Sequence, residues 1–211
     1  MEIKQFEFNL IEENTYILYD ETKEAVIIDC GAFYSEEKIM LRDFISEKQL
    51  VLKHLLNTHL HLDHSFGNKF IYDTYGILPE YHHSEEQMPG LKKQAAAFGI
   101  KVDGDGNGSA KYLEDGDIVS FGNVNLEVIL VPGHSPGSLC FYSKADAVLF
   151  SGDVLFQEGI GRSDLWGGNY QVLVLGIKNK LLILPEDTVV YSGHGPKTTI
   201  GNERINNPYL K

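Results

Sequence analysis

The stretch Asn57–Gly67, NTHLHLDHSFG, places three of the chain's eight histidines and an aspartate within six residues, His59 to His64. A helix does not account for that spacing, because side chains two apart on a helix diverge and a shared face needs three or four. On a strand, His59 and His61 would share one side with Asp63, and His64 would fall on the other. Four polar groups on two faces suit a loop. The run before it, LVLKHLLN, is mostly apolar and reads as a buried strand running into that loop. In α/β folds the C-terminal ends of strands are where chemistry collects.

The chain has 211 residues, 43% of them hydrophobic, which fits one domain with a substantial core. Its net charge of -12 argues against nucleic acid as a partner, since phosphate binding needs a basic surface. No membrane span is visible, and the start, MEIKQFEFN, lacks the basic head and apolar core of a signal peptide. Cys30 and Cys140 lie in apolar, strand-like runs and do not form a disulfide framework, so a reducing, cytoplasmic setting is expected.

Strand-like runs recur as TYILYD, EAVIIDCG, LVLKHLLN, VNLEVILVPG, SLCFYS, AVLFSGD and TVVYSGHG, with helical patterns over Ser35–Lys48, Glu85–Phe98 and Tyr170–Leu182. The alternation predicts an α/β sandwich with helices outside its sheets. Four apolar runs end alike, at His59, His134, Asp153 and His194, each after a small or turn-forming residue. If those strands share a direction, their ends meet at one edge.

Imidazole and carboxylate together suit zinc, and also iron or manganese, with a position left open for water. His59, His61 and His134 can hold one ion. Asp63, His64 and His194 can hold a second, with Asp153 as the bridge. Two divalent ions outweigh two aspartates and a hydroxide by about one positive charge, which favours an anionic substrate. Bound water is then acidified towards a pKa of about 7 and the scissile carbonyl polarised.

The segments THLHLDH, PGHSPGS, SGDVLF and SGHGP resemble the five-part signature of the metallo-β-lactamase superfamily, over Ile27 to about Pro196. The resemblance implies a four-layer αββα sandwich with a dinuclear centre at one edge, and it matches the seven ligands residue by residue. GDVLFQEGIGRSDLWGGN and GHGPKTTIGNERINNPYL are similar to the small bacterial glyoxalase II-like hydrolases. Expected from this likeness are cleavage of small anionic S-acyl thioesters through a metal-bound hydroxide, Asp63 as a catalytic residue, and one domain over residues 1–211 without the C-terminal helical domain of full-length glyoxalase II. Asp153 stands where lactamases of the main zinc class carry cysteine, which disfavours an antibiotic-cleaving role. GIGRSDL is also similar to a segment of persulfide dioxygenases, which use one iron; here His59, His134 and Asp153 would hold it. A scaffold that has lost catalysis is the remaining alternative, and the complete ligand set speaks against it.

Asp29, ending AVIID, can orient a ligand histidine from behind or simply close a strand-end turn. Arg162, after two glycines, can meet a substrate carboxylate with its planar fork or sit in a structural salt bridge. His54 reads as a core or supporting histidine, and His82 and His83 as surface residues beside a helix start that Ser84 can cap. DGDGNGSAKYLE, Asp103–Glu114, satisfies a calcium-loop pattern, but Gly99 breaks the helix before it and DGDIVSFG after it reads as a turn and strand, which favours a Gly/Asp hairpin.

Overall fold

The computed structural model describes residues 1–102 and 110–211. They divide into two compact units, the first of Met1–Tyr81, Pro89–Tyr112 and Ser120–Val124, the second of His82–Met88, Leu113–Val119 and Asn125–Lys211.

The first sheet runs β1 (Glu2–Phe8), β2 (Glu13–Tyr19), β3 (Glu24–Ile28), β4 (Val51–Leu56), β5 (Pro79–Tyr81) and β6 (Lys111–Tyr112), in that order. β1, β2 and β3 pair antiparallel, whereas β3, β4, β5 and β6 are parallel. Because β3 and β4 run the same way, Asp29 and His59 leave the sheet at one edge. The helices of this unit are α1 (Ser35–Glu47), α2 (Leu62–Ser65), α3 (Asn68–Tyr75) and α4 (Leu91–Ala97). Leu41 and Ile45 of α1 and Ile71 of α3 pack with Ile17, Ile27 and Leu55 in one core cluster. Fully burying an aliphatic side chain is worth about 1.5–3 kcal/mol. Glu37, in the first turn of α1, accepts from the backbone N–H of Phe33 and Tyr34 at 2.7 and 2.8 Å, and so fixes the segment that follows Asp29.

The second sheet is made of β7 (Ile118–Phe121), β8 (Val124–Leu130), β9 (Leu139–Ser143), β10 (Val148–Gly152), β13 (Val189–Ser192) and β14 (Thr198–Thr199), beside a small ribbon of β11 (Leu155–Phe156) and β12 (Gly159–Ile160). β9 is antiparallel to both β8 and β10, and β13 is parallel to β10, so β8, β10 and β13 all point one way. Their ends deliver His134, Asp153 and His194 to a common edge, as the shared run endings predict. α5 (Tyr170–Gly176), continued by a π-helical turn over Ile177–Leu181, and α6 (Ile200–Asn206) cover this sheet. Leu173, Ile177, Leu181 and Ile200 pack on Cys140, Leu149 and Val190.

Two expectations change, and several short strands are added. The stretch after His61 is not all loop: Leu62–Ser65 closes a helical turn, and α3 follows it. The helix expected over Glu85–Phe98 is two pieces, a 3₁₀ turn at His83–Gln87 and α4, separated at Pro89 and Gly90. Proline cannot donate within a helix and disfavours helical backbone before it. The short strands β5, β6, β11, β12 and β14 have too few residues for alternation to show.

Candidate metal centre

In the first unit the four residues of the opening motif gather in the interior. His59, His61, Asp63 and His64 are all buried. The ring of His59 lies 4.6 Å from that of His61 and 4.1 Å from that of His64, centroid to centroid, and His64 Nε2 is 3.5 Å from Asp63 Oδ2. The helical turn puts Asp63 and His64 beside the pair that precedes it.

Asp29 organises the group. Its backbone is left-handed, at φ 49°, which Asp tolerates better than most residues. Its Oδ1 accepts the Thr58 N–H at 2.7 Å, and its Oδ2 accepts the Thr58 hydroxyl at 2.7 Å and His64 Nδ1 at 2.9 Å. With the hydroxyl donating to Asp29, the Thr58 oxygen accepts from His59 Nδ1, 3.0 Å away. Both imidazoles thereby carry a proton on Nδ1 and present the Nε2 lone pair, which is how metal-binding histidines are prepared. Asp29 takes the orienting role.

The backbone of this segment is held by amides. Asn9 Nδ2 donates to the carbonyls of Gly31 and Asp63, Asn57 Nδ2 to that of His64, and Gln94 Nε2 to that of Leu60. Gly31 is required for space: a Cβ there would lie 2.0 Å from Glu13 Oε2 and 2.7 Å from the Asp63 carbonyl. Glu13 is wholly buried, with Oε2 accepting from Thr15 at 2.8 Å and Oε1 3.9 Å from His64 Nδ1, and burial raises its carboxyl well above the usual range.

In the second unit, Asp153 Oδ2 is 3.7 Å from His134 Nε2 and 3.7 Å from His194 Nε2. Ligands sharing an ion at bonds of about 2.0–2.2 Å lie about 3–4 Å apart, so one carboxylate oxygen facing two imidazole nitrogens equally is what a bridge requires. His134 Nδ1 donates to the Arg162 carbonyl at 2.8 Å, which again leaves Nε2 with its lone pair. Gly133, at φ 125°, makes the turn into His134, and a Cβ there would lie 2.5 Å from the Leu173 nitrogen. Beyond His134, the buried Glu85 accepts from Ser135 Oγ and from the Gly137 N–H, each at 2.6 Å. The donor set and its outer hydrogen bonds fit divalent metal ions in both units.

Other expected residues lie elsewhere. Arg162 is exposed and forks onto Asp164, Nε to Oδ1 at 2.8 Å and Nη2 to Oδ2 at 2.9 Å, and this guanidinium brings the Asp164 carboxyl down to about 2. Its backbone carbonyl, not its side chain, meets His134. His54 is tied to Glu80 and to the Ser120 carbonyl, neither of them among the candidate ligands. His82 is buried rather than superficial: its Nδ1 accepts the Ser84 N–H, so the histidine caps the 3₁₀ turn in place of Ser84. Asp103, Asp105, Asn107 and Gly108 of the calcium-loop pattern lie outside the described residues, and Glu114 is engaged with His82 at 3.3 Å and His83 at 3.1 Å. Both cysteines are free and buried, and burial pushes the Cys30 thiol up to about 12.

The model of the metallo-β-lactamase superfamily matches residues 10–194, and the chain belongs to that superfamily. Among its relatives, hydroxyacylglutathione hydrolase GloC of Haemophilus influenzae is 36% identical over 214 residues, covering 100% of this chain and 98% of its own. The probable metallo-hydrolase YqgX of Bacillus subtilis is 38% identical over 205 residues, covering 95% and 93%. Among solved structures, the BLEG-1 B3 metallo-β-lactamase superposes with a TM-score of 0.87 at 38% identity, covering 99% of both chains. TTHA1623 in a di-iron-bound form gives 0.87 at 32%, covering 98% of this chain and all of its own. ETHE1 from Myxococcus xanthus gives 0.78 at 27%, covering 99% and 84%. The chain is therefore a metallo-hydrolase of α/β class with the mixed sheets and flanking helices of this fold.

No helix among the described residues is long and apolar enough to cross a membrane.

Proposed function

We propose that the protein is a dinuclear metal-dependent hydrolase of small anionic S-acyl thioesters, working in the cytoplasm. His59, His61 and His134 would hold one ion and Asp63, His64 and His194 the second, with Asp153 shared between them. The observation that carries the metal assignment is the set of outer hydrogen bonds at Thr58, Asp29 and Arg162, which prepare His59, His64 and His134 as Nε2 ligands. The identity with GloC supports the thioester. When bound, the ions supply an acidified water and a polarised carbonyl. The chain's own residues keep the imidazoles in one tautomer, fix their rings, and through Asp63 and Asp153 balance part of the cationic charge. Zinc is the metal proposed, with the di-iron-bound relative keeping iron in view and manganese also compatible with the ligands.

Purified protein given S-lactoylglutathione and smaller acyl thioesters should release free thiol in a metal-dependent way, faster than it opens a chromogenic cephalosporin. Thiol release no faster than in a chelator-treated control across the panel would sink the proposal, and preferential opening of the cephalosporin would replace the thioester with a β-lactam. The second reading, a mononuclear iron persulfide dioxygenase, rests on GIGRSDL and on the likeness to ETHE1.

Arg162→Ala is expected to raise KM for carboxylate-bearing thioesters more than for neutral ones, because its fork can exchange Asp164 for a substrate anion. Equal effects on both substrates would leave the side chain to its ion pair.

A further inference from the structure

A cavity of about 440 Å³ opens in the first unit, within the size range of small-molecule sites, about 300–1,000 Å³. Its floor is aromatic. Phe33 and Phe66 lie with ring centroids 4.6 Å apart, and Phe70 and Leu91 extend the apolar surface. Phe66 follows directly on α2, and with Leu62, Leu91 and Phe33 it forms a cluster of its own. The turn that carries Asp63 and His64 is therefore followed at once by a residue of the cavity wall.

The rim is cationic. Lys38 from α1, Lys69 from α3 and Lys101 line it, with Asp73 as the acid among them. Asp73 is taken by Lys69 at 2.5 Å. Neither the Lys38 nor the Lys101 side chain enters an ion pair or a side-chain hydrogen bond among the described residues. In a chain with 30 acidic and 18 basic residues, three lysines and one aspartate lining one cavity make a local reversal of the overall charge among the described residues. A polyanion would need a long basic stripe and would be repelled by the rest of the surface. A small anion needs only this rim. Lysines and phenyl rings lining one cavity suit a ligand with a negative end and a flat or aliphatic body.

We propose that this cavity binds a small organic anion, its apolar body on the Phe33–Phe66 floor and its carboxylate, sulfonate or phosphate against Lys38 and Lys101. Binding needs no metal ion, so chelator-treated full-length protein serves, and the outcome is independent of the hydrolase assignment. The probes are naphthalene-2-sulfonate, the neutral naphthalene-2-sulfonamide and the cationic 2-naphthylmethylammonium, titrated calorimetrically at low salt. The sulfonate should bind at least tenfold more tightly than the sulfonamide, and the cation not measurably. Lys38→Glu/Lys101→Glu should weaken the sulfonate at least tenfold while metal content stays at the wild-type value, and the milder Lys38→Gln/Lys101→Gln should weaken it several-fold. Lys4→Glu/Lys144→Glu, which makes the same change in net charge at exposed positions that do not line the cavity, should leave the affinity within about twofold. Absence of sulfonate binding, equal binding of sulfonate and cation, or equal losses in the cavity and control variants would each overturn the site.

Discussion

Purified Asp63→Ala should contain close to one equivalent of metal fewer than the wild type, and its thioester hydrolysis should fall by about two orders of magnitude or more, as for loss of a group that acts in the transition state. The variant should still fold. The Asp63 side chain is near the edge of the buried group, whereas the segment's position depends on its backbone carbonyl, which Asn9 holds at 3.1 Å irrespective of the side chain. The residue also divides the two readings of the chemistry. A dinuclear hydrolase uses Asp63 for its second ion, while a mononuclear iron dioxygenase needs His59, His134 and Asp153. Metal analysis of wild type and variant, made on protein purified without added metal, therefore reads the mechanism. An unchanged content of one iron per chain, with oxygen consumed on adding glutathione persulfide, would overturn the hydrolase.

Asp29→Asn should cost more than its size suggests. The carboxylate accepts three hydrogen bonds, from the Thr58 N–H, the Thr58 hydroxyl and His64 Nδ1. An amide of the same shape has one accepting atom, so at least one buried donor faces another donor, at about 1–3 kcal/mol. The Thr58 hydroxyl and His64 then lose the arrangement that keeps protons on both Nδ1 atoms, and metal affinity should drop about 10–100-fold, the range for such outer partners. Competition with a chromogenic chelator measures the affinity, and the melting temperature of metal-free protein measures the stability loss. Wild-type metal affinity in Asp29→Asn would remove the orienting role from Asp29.

Four of the seven candidate ligands, His59, His134, Asp153 and His194, were legible because each follows an apolar run, a local pattern, and His61, Asp63 and His64 because they crowd directly behind the first of these. Parallel β3 and β4, and the common direction of β8, β10 and β13, turn those local endings into two shared edges. What holds the ligands was mostly not legible. Asn9 reaches Asp63 across 54 positions, Gln94 reaches Leu60 across 34, and Glu85 reaches Ser135 across 50. Amides and carboxyls gripping distant carbonyls and N–H groups leave no periodicity, and their types are common on any surface. Asp29 was visible only as a choice between a ligand support and a strand-end turn; its left-handed backbone and its three donors decide for support. The buried His82 was missed because a ring nitrogen accepting from the backbone two residues on is a cap that the sequence shows more readily for serine.

His59 and His64 both depend on the side chain of Asp29, but His134 depends on a main-chain oxygen at position 162. Any amino acid supplies that oxygen. The arginine can be exchanged for a residue of another size or charge without releasing the histidine, provided the neighbouring Gly161 is kept, since a Cβ there would lie 1.9 Å from the Asp153 carbonyl. In the proposed hydrolase this loop keeps metal retention apart from substrate choice: its backbone serves the first and its side chains are available for the second. A library randomised at 162 and 164 is therefore expected to search for new specificities with the hydrogen bond from His134 Nδ1 to the main chain kept in every member.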